Sequence, residues 1–466
     1  MLVSFKIKNF KSFKDENQLN LTAGSTRQKQ ERIQQFNYLD VLKFSAIFGA
    51  NASGKSNIVT ALAIMRYLVL RNKLPLDSLN EFYRLDDSCS KEPTYFEVII
   101  TIDNKIYDYG FEVSLVNNNY SSEWLIELKY NRDHQIKENI IFEKEKGKIK
   151  FPLLPKENKE KQNRINVYKE DIEADPNVLF LNKLCTTNDL LFVDPNDELI
   201  VIKKVFNWFN SNLAVISPNL PFTAPEYITD APKLHSVVNL LKSFDTGIQD
   251  VQEVNVKEED FRRRVSSELD VDKIKEQMAK QKSLQLLSKK IDGISLMLRN
   301  NSNYWTICLD KNNEFKFLNL VFYHDKENKY PFTLQDESDG TLRIFDLAEV
   351  LLANPDNKVF IIDELDRCLH PSLTLQFIRL FLKEASCPTF TNQLIVTTHE
   401  SRLMDLDILR RDEIWFTKKD KGISSLYSLE DYNERFDKVI DKAYLNGRYG
   451  GIPVFDSVFL PECLKK

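Results

Sequence analysis

Eight residues, Gly49-Ala50-Asn51-Ala52-Ser53-Gly54-Lys55-Ser56, match GxxxxGK[ST], the pattern of a phosphate-binding loop. In such a loop the glycines let backbone N–H groups curl around phosphate oxygens. Lys55 is then placed to reach the β and γ phosphates of a nucleotide, and the Ser56 hydroxyl to hold Mg2+. Further along, the apolar run Val359–Ile362 closes on Asp363-Glu364. A carboxylate at the end of a buried strand orients Mg2+, the role expected of Asp363. A second one polarises the attacking water, the role expected of Glu364. Such a pair is common by itself and gains its meaning from the Lys55 loop. His399 follows another apolar run, Leu394–Thr398, as a sensor of the terminal phosphate would. Ser338-Asp339-Gly340-Thr341 precedes a helical run; a hydroxyl and bare N–H groups there form an anion site in outline, and equally a plain N-cap.

These residues need elements to hold them. Phe44–Phe48 is a compact apolar run suited to a buried parallel strand, and it leads straight into the loop. Asn57–Arg71 is apolar almost all round, which predicts a buried helix. At the start of the chain, Leu2, Val3, Phe5, Ile7 and Phe10 give the near period-2 alternation of a strand. Tyr95–Thr101 and Lys105–Leu115 read as a hairpin turning at Asp103-Asn104. Residues 165–300 read as mainly helical, Glu258–Arg299 being long, charged and periodic. Strands return at Tyr304–Leu309 and Phe315–His324, and again at Ile414–Thr417. Because Lys55 and Asp363 are so far apart, a large insertion must separate them. The expected division is 1–128, 129–302 (a mainly helical lid or arm) and 303–466.

The chain has 466 residues, 64 Lys+Arg and 69 Asp+Glu, a formal net charge of −5. A protein that coats nucleic acid with its whole surface would be basic, so DNA contact would need a local patch. The one candidate is Lys129–Arg164, with 11 basic and six acidic residues; such a run is usually a solvated face. Six cysteines form no CxxC pair, which supports neither a zinc site nor a disulfide framework and fits a reducing compartment. The first residues have no apolar core of signal-peptide length, and the apolar stretch Ile58–Leu70 is interrupted and too short for a bilayer. A cytoplasmic protein with no membrane contact is expected. No NKxD sequence occurs, which argues against guanine recognition.

The order of these motifs resembles the ABC-type ATPase head. Ile7-Lys8-Asn9-Phe10-Lys11-Ser12-Phe13 and Phe48–Asn57 are similar to the opening and the nucleotide loop of RecF-type and SMC-type heads. More narrowly, the chain resembles the bacterial AAA15 family, related to OLD-type and abortive-infection ATPases. Phe244–Ile248, Glu337–Thr341, Asp363–Pro371, Asp412–Phe416 and Asn446–Pro453 carry this likeness. It implies an α/β fold: a P-loop sheet with helices, an antiparallel β lobe and a large helical insertion. It implies that Gly49–Ser56 and Asn57 bind ATP with Mg2+, and that Ser338 and Gly340 are the signature capping the γ-phosphate held by a second subunit. Leu365-Asp366 would be the D-loop and His399 the switch histidine. Two heads would sandwich two ATP molecules in a homodimer or larger homo-oligomer. AAA15-type ATPases are often found in anti-phage defence beside a separate nuclease or toxin-like effector. The alternative is a RecF/SMC-like DNA-repair ATPase binding DNA directly; an ATPase subunit of a transporter is a third. Two departures stand out. The usual LSGGQ-like signature is reduced to Glu337-Ser338-Asp339-Gly340-Thr341, and no glutamine occurs between Gln35 and Gln135 to serve as a Q-loop.

Overall fold

The computed structural model describes residues 1–451 apart from 37, 76–77, 131–135, 146, 153–158, 188, 193, 195–196, 219–230, 266–268, 287–292, 300–302, 311, 355 and 433–439. The Ile452-Pro453 end of one family-like segment lies outside the described residues. The chain divides into two compact units. The first is Met1–Pro218, Asn354–Asp366 and Thr374–Lys466; the second is Asn219–Ala353 and Arg367–Leu373.

The first unit carries a six-stranded sheet in the order Leu213–Ile216, Val359–Ile362, Gln393–Thr397, Phe44–Gly49, Ile414–Asp420 and Ile423–Ser428. The first five strands pair in parallel, and only the last, a hairpin return, is antiparallel. Val359–Ile362, Gln393–Thr397 and Phe44–Gly49 are buried throughout, which explains why they read as unbroken apolar runs. Their carboxyl ends therefore all face the same edge, where an open α/β sheet places its ligand. The helix Lys55–Arg71 leaves that edge with Ile58, Val59, Leu62, Met65, Leu68 and Val69 buried in the main core. Each such side chain contributes about 1.5–3 kcal/mol. Together they outweigh the strain of about 1–3 kcal/mol per unusual backbone residue in the loop before it.

A second, seven-stranded antiparallel sheet forms the β lobe. It pairs Leu2–Lys8 with Asn17–Asn20 on one side and with Thr94–Ile102 on the other. Lys105–Ser114 follows through the Asp103-Asn104 turn, whose two residues both have left-handed φ of 50° and 61°. This is an α/β architecture, a parallel sheet that carries the Lys55 loop together with an antiparallel lobe.

The stretch 129–302 differs from its helical expectation. The strand Asn119–Tyr130 runs through the expected boundary, and Ile136–Glu145 and Lys148–Lys150 complete the β lobe. Ile136–Glu145 begins with four exposed residues and buries the adjacent Ile141 and Phe142 at a break in register, so its charge-rich sequence shows no clean alternation. Helices do follow at Lys159–Ala174, Phe180–Thr187, Ile200–Asn207 and Ala231–Ser243. The second unit is built on a four-stranded antiparallel sheet, Asp250–Val256, Phe315–Tyr323, Tyr304–Asp310 and Gly293–Arg299. Glu258–Arg299 is thus two helices, Glu258–Arg264 and Val271–Leu286, followed by a strand. Phe261, Trp305 and Phe317 pack in its own small core.

Candidate functional site

The carboxyl edge of the parallel sheet gathers most of the expected residues. Ala52 and Gly54 take left-handed φ of 61° and 116°, and the helix begins at Lys55. Lys55 is buried, and its ammonium donates to the carbonyls of Gly49 at 2.7 Å and Ala50 at 3.1 Å. Burial lowers its pKa to about 8, while Asp363, Asp366 and Glu364 pull in the opposite direction. The Ser56 hydroxyl donates to Asp363 Oδ1 at 3.2 Å, so two oxygens 307 residues apart in sequence meet at one point. A hydroxyl and a carboxylate on an accessible edge fit Mg2+, a hard ion that keeps several waters and is completed by substrate phosphates. The described residues therefore suit that ion.

Glu364 is partly exposed and sits in the left-handed region, φ 48°. For a non-glycine residue this costs about 1–3 kcal/mol and persists only where surrounding bonds enforce it. They are present: Glu364 N–H donates to Thr397 Oγ1 at 2.8 Å, and Leu365 N–H to the Thr397 carbonyl at 3.0 Å. Asp366, the expected D-loop carboxylate, is engaged within its own chain, accepting from Thr398 Oγ1 at 2.7 Å and His399 N–H at 3.1 Å. The His399 ring reaches solvent. Desolvation first, and the Lys55 ammonium second, hold its pKa below the ordinary histidine value.

A ring of hydroxyls fastens the loop from below. Ser53 Oγ and Thr417 Oγ1 share a hydrogen bond of 2.5 Å. Ser424 Oγ donates to the Ser53 carbonyl at 2.7 Å and lies 2.7 Å from Ser12 Oγ, which also accepts from Asn57 Nδ2 at 2.7 Å. The opening Asn9–Phe13 segment is thereby explained. Asn9 and Lys11 adopt left-handed φ, and the resulting turn presents Ser12 to the helix start. Thr397, Thr417 and Ser424 were not identified from sequence. Their partners are 33 to 412 positions away, and a lone hydroxyl at a strand end carries no local pattern. Gly54 shows how tight this floor is: a Cβ there would stand 2.7 Å from Ser424 Oγ. Gly54→Ala is expected to lower the melting temperature, by about 1–3 kcal/mol of stability, and to weaken nucleotide binding. An unchanged melt with unchanged affinity would refute this account of the loop.

Ser338 and Gly340 belong to the second unit. Ser338 is the N-cap of the helix Asp339–Leu352, its Oγ accepting from Thr341 N–H at 3.1 Å. A Cβ on Gly340 would meet the Cys368 carbonyl at 2.8 Å, so only glycine fits. Glu337 is fixed by His324 Nε2 at 2.8 Å.

Four of the basic residues of 129–164 form ion pairs among the described residues. Lys129 pairs with Glu127, Lys150 with Glu143, Lys161 with Asp197 and Arg164 with Glu160, and Lys144 is buried. Among the described residues, no helix is long and apolar enough to cross a membrane.

No curated protein matches the chain. Among solved structures, it is similar to the SMC head domain from Thermotoga maritima, with 13% identity and a TM-score of 0.32 over 92% of this chain and 98% of that one. A family model described as "AAA domain, putative AbiEii toxin, Type IV TA system" matches residues 44–171 and 211–405, more than half of the chain and the part that holds Lys55, Asp363, Glu364 and His399, so the chain belongs to that family.

Proposed function

We propose that this P-loop protein hydrolyses ATP at a head-to-head dimer interface and serves as a sensor or scaffold in anti-phage defence, working with a separate nuclease or toxin-like effector. The observation that carries the ATPase reading is the meeting of Ser56 and Asp363 beside buried Lys55. Gly49–Asn57 bind the phosphates, Lys55 through its charge and the loop through its N–H groups. Ser56 and Asp363 hold Mg2+, which when bound neutralises charge on the phosphates. Glu364 orients the attacking water and takes its proton, and His399 contacts the terminal phosphate. Ser338 and Gly340 offer the hydroxyl and N–H groups of a helix N-terminus to the phosphate of the other subunit. Asp366 couples that interface to the His399 strand end through Thr398. The defence role follows from family likeness rather than from the site.

The deciding experiment is the native mass of the Glu364→Gln protein with and without ATP and Mg2+. A dimer or larger assembly appearing only with ATP is the expected result; a mass indifferent to ATP would sink the assembly switch. Ser338→Arg should leave ATP binding intact and abolish this ATP-dependent pairing. Undiminished pairing would reduce Ser338 to a helix cap. Salt-sensitive DNA binding by the full chain would instead favour the DNA-repair reading.

A further inference from the structure

We propose that Thr397 is a positioning residue that fixes the Asp363–Glu364 pair through a single hydroxyl. The inference rests on the reading of those two carboxylates as the Mg2+ and water-activating groups. Thr397 is fully buried at the end of the strand Gln393–Thr397, beside Val359–Ile362 in the sheet. Its Oγ1 donates to Asp363 Oδ1 at 2.6 Å and accepts from Glu364 N–H at 2.8 Å. A hydroxyl has one proton to give. With that proton committed to Asp363, the lone pairs are left for the Glu364 amide, so the two bonds enforce each other.

Each bond has a distinct consequence. The first aims Asp363 Oδ1, the same oxygen that meets Ser56. The second holds the left-handed backbone of Glu364 and hence the direction in which its carboxylate leaves the chain. The neighbouring Thr398 likewise aims a carboxylate, its Oγ1 donating to Asp366 Oδ1 at 2.7 Å. The turn after Val359–Ile362 is therefore set by the strand end that carries His399. A packing role alone would need only the shape of threonine, whereas this role needs its oxygen.

Thr397→Val keeps the shape and removes the oxygen. In the full-length protein it should slow steady-state ATP hydrolysis by about 10–100-fold, the usual loss when a group orienting a metal ligand is removed. The Mg2+ concentration for half-maximal turnover should rise several-fold, on the same grounds. Binding of ATP without Mg2+ should be unchanged. Thr397→Ser, which retains the hydroxyl, should restore turnover and Mg2+ dependence. Thr397→Ala, which cannot overpack, should share the Mg2+ shift of the valine variant. Wild-type turnover and Mg2+ dependence in Thr397→Val would overturn the proposal, as would a serine variant no better than valine. A wild-type chain that does not hydrolyse ATP would instead overturn the ATPase reading itself.

Discussion

Glu364→Gln is expected to bind ATP and Mg2+ as the wild type does and to lose turnover by about 10²–10⁴-fold, the range for a missing general base. Glutamine keeps the size of the side chain and its ability to hold a water, but it cannot accept that water's proton. The backbone argument sharpens the expectation. Glu364 sits at φ 48°, held by its amide bond to Thr397, and that bond is made by the main chain. The substitution therefore leaves the turn in place, and Asp363 keeps its contacts with Ser56 and Thr397. Affinity and fold should survive while chemistry fails. Equal losses in affinity and turnover would mean that Glu364 binds rather than catalyses. Wild-type turnover would remove it from the mechanism.

The candidate site residues were legible because each lies in a short local pattern. A glycine-bracketed loop, an apolar run closed by two carboxylates, and a histidine after a third apolar run all follow from buried parallel strands, whose sequences are apolar on both faces. What positions them was not legible. Thr417 meets Ser53, and Ser424 meets Ser12, across 364 and 412 positions, contacts made by sheet order alone. Two errors of texture have one cause. Ile136–Glu145 and Gly293–Arg299 each have outward residues that are charged or partly exposed, so neither shows the clean alternation of a half-buried strand. Their pairing partners, Asn119–Tyr130 and Tyr304–Asp310, supply the stabilisation that local sequence lacks. The excess of lysine in 129–164 is a matter of composition that the fold answers in part. Composition counts charges, whereas the fold pairs them, and Glu127 and Asp197 lie outside or far along from the basic run they neutralise.

Lys55→Ala should weaken ATP binding by about 100-fold, roughly 3 kcal/mol, since charge-assisted hydrogen bonds contribute about 1.5–3 kcal/mol each. The lysine also sets a pH dependence. Burial holds its pKa at about 8, well under the ordinary lysine value of 10.5. Bound phosphates stabilise the ammonium, so ATP binding takes up a proton wherever the unliganded lysine is already neutral. Affinity should be flat below about pH 8 and fall above it, by up to about tenfold per pH unit. Folding carries the opposite sign. Between about pH 8 and 10.5 the unfolded chain binds more protons at this lysine than the folded one, so the site makes stability rise with pH across that window. Titration calorimetry of ATP and thermal melts of the unliganded protein, both from pH 7 to 10, separate the two. In Lys55→Ala the alkaline loss of affinity should disappear while the chain gains thermal stability near neutrality, because a buried charge has been removed. A variant that kept the wild-type pH profile would show that the titrating group is elsewhere. A variant with full affinity would mean that the loop holds no phosphate.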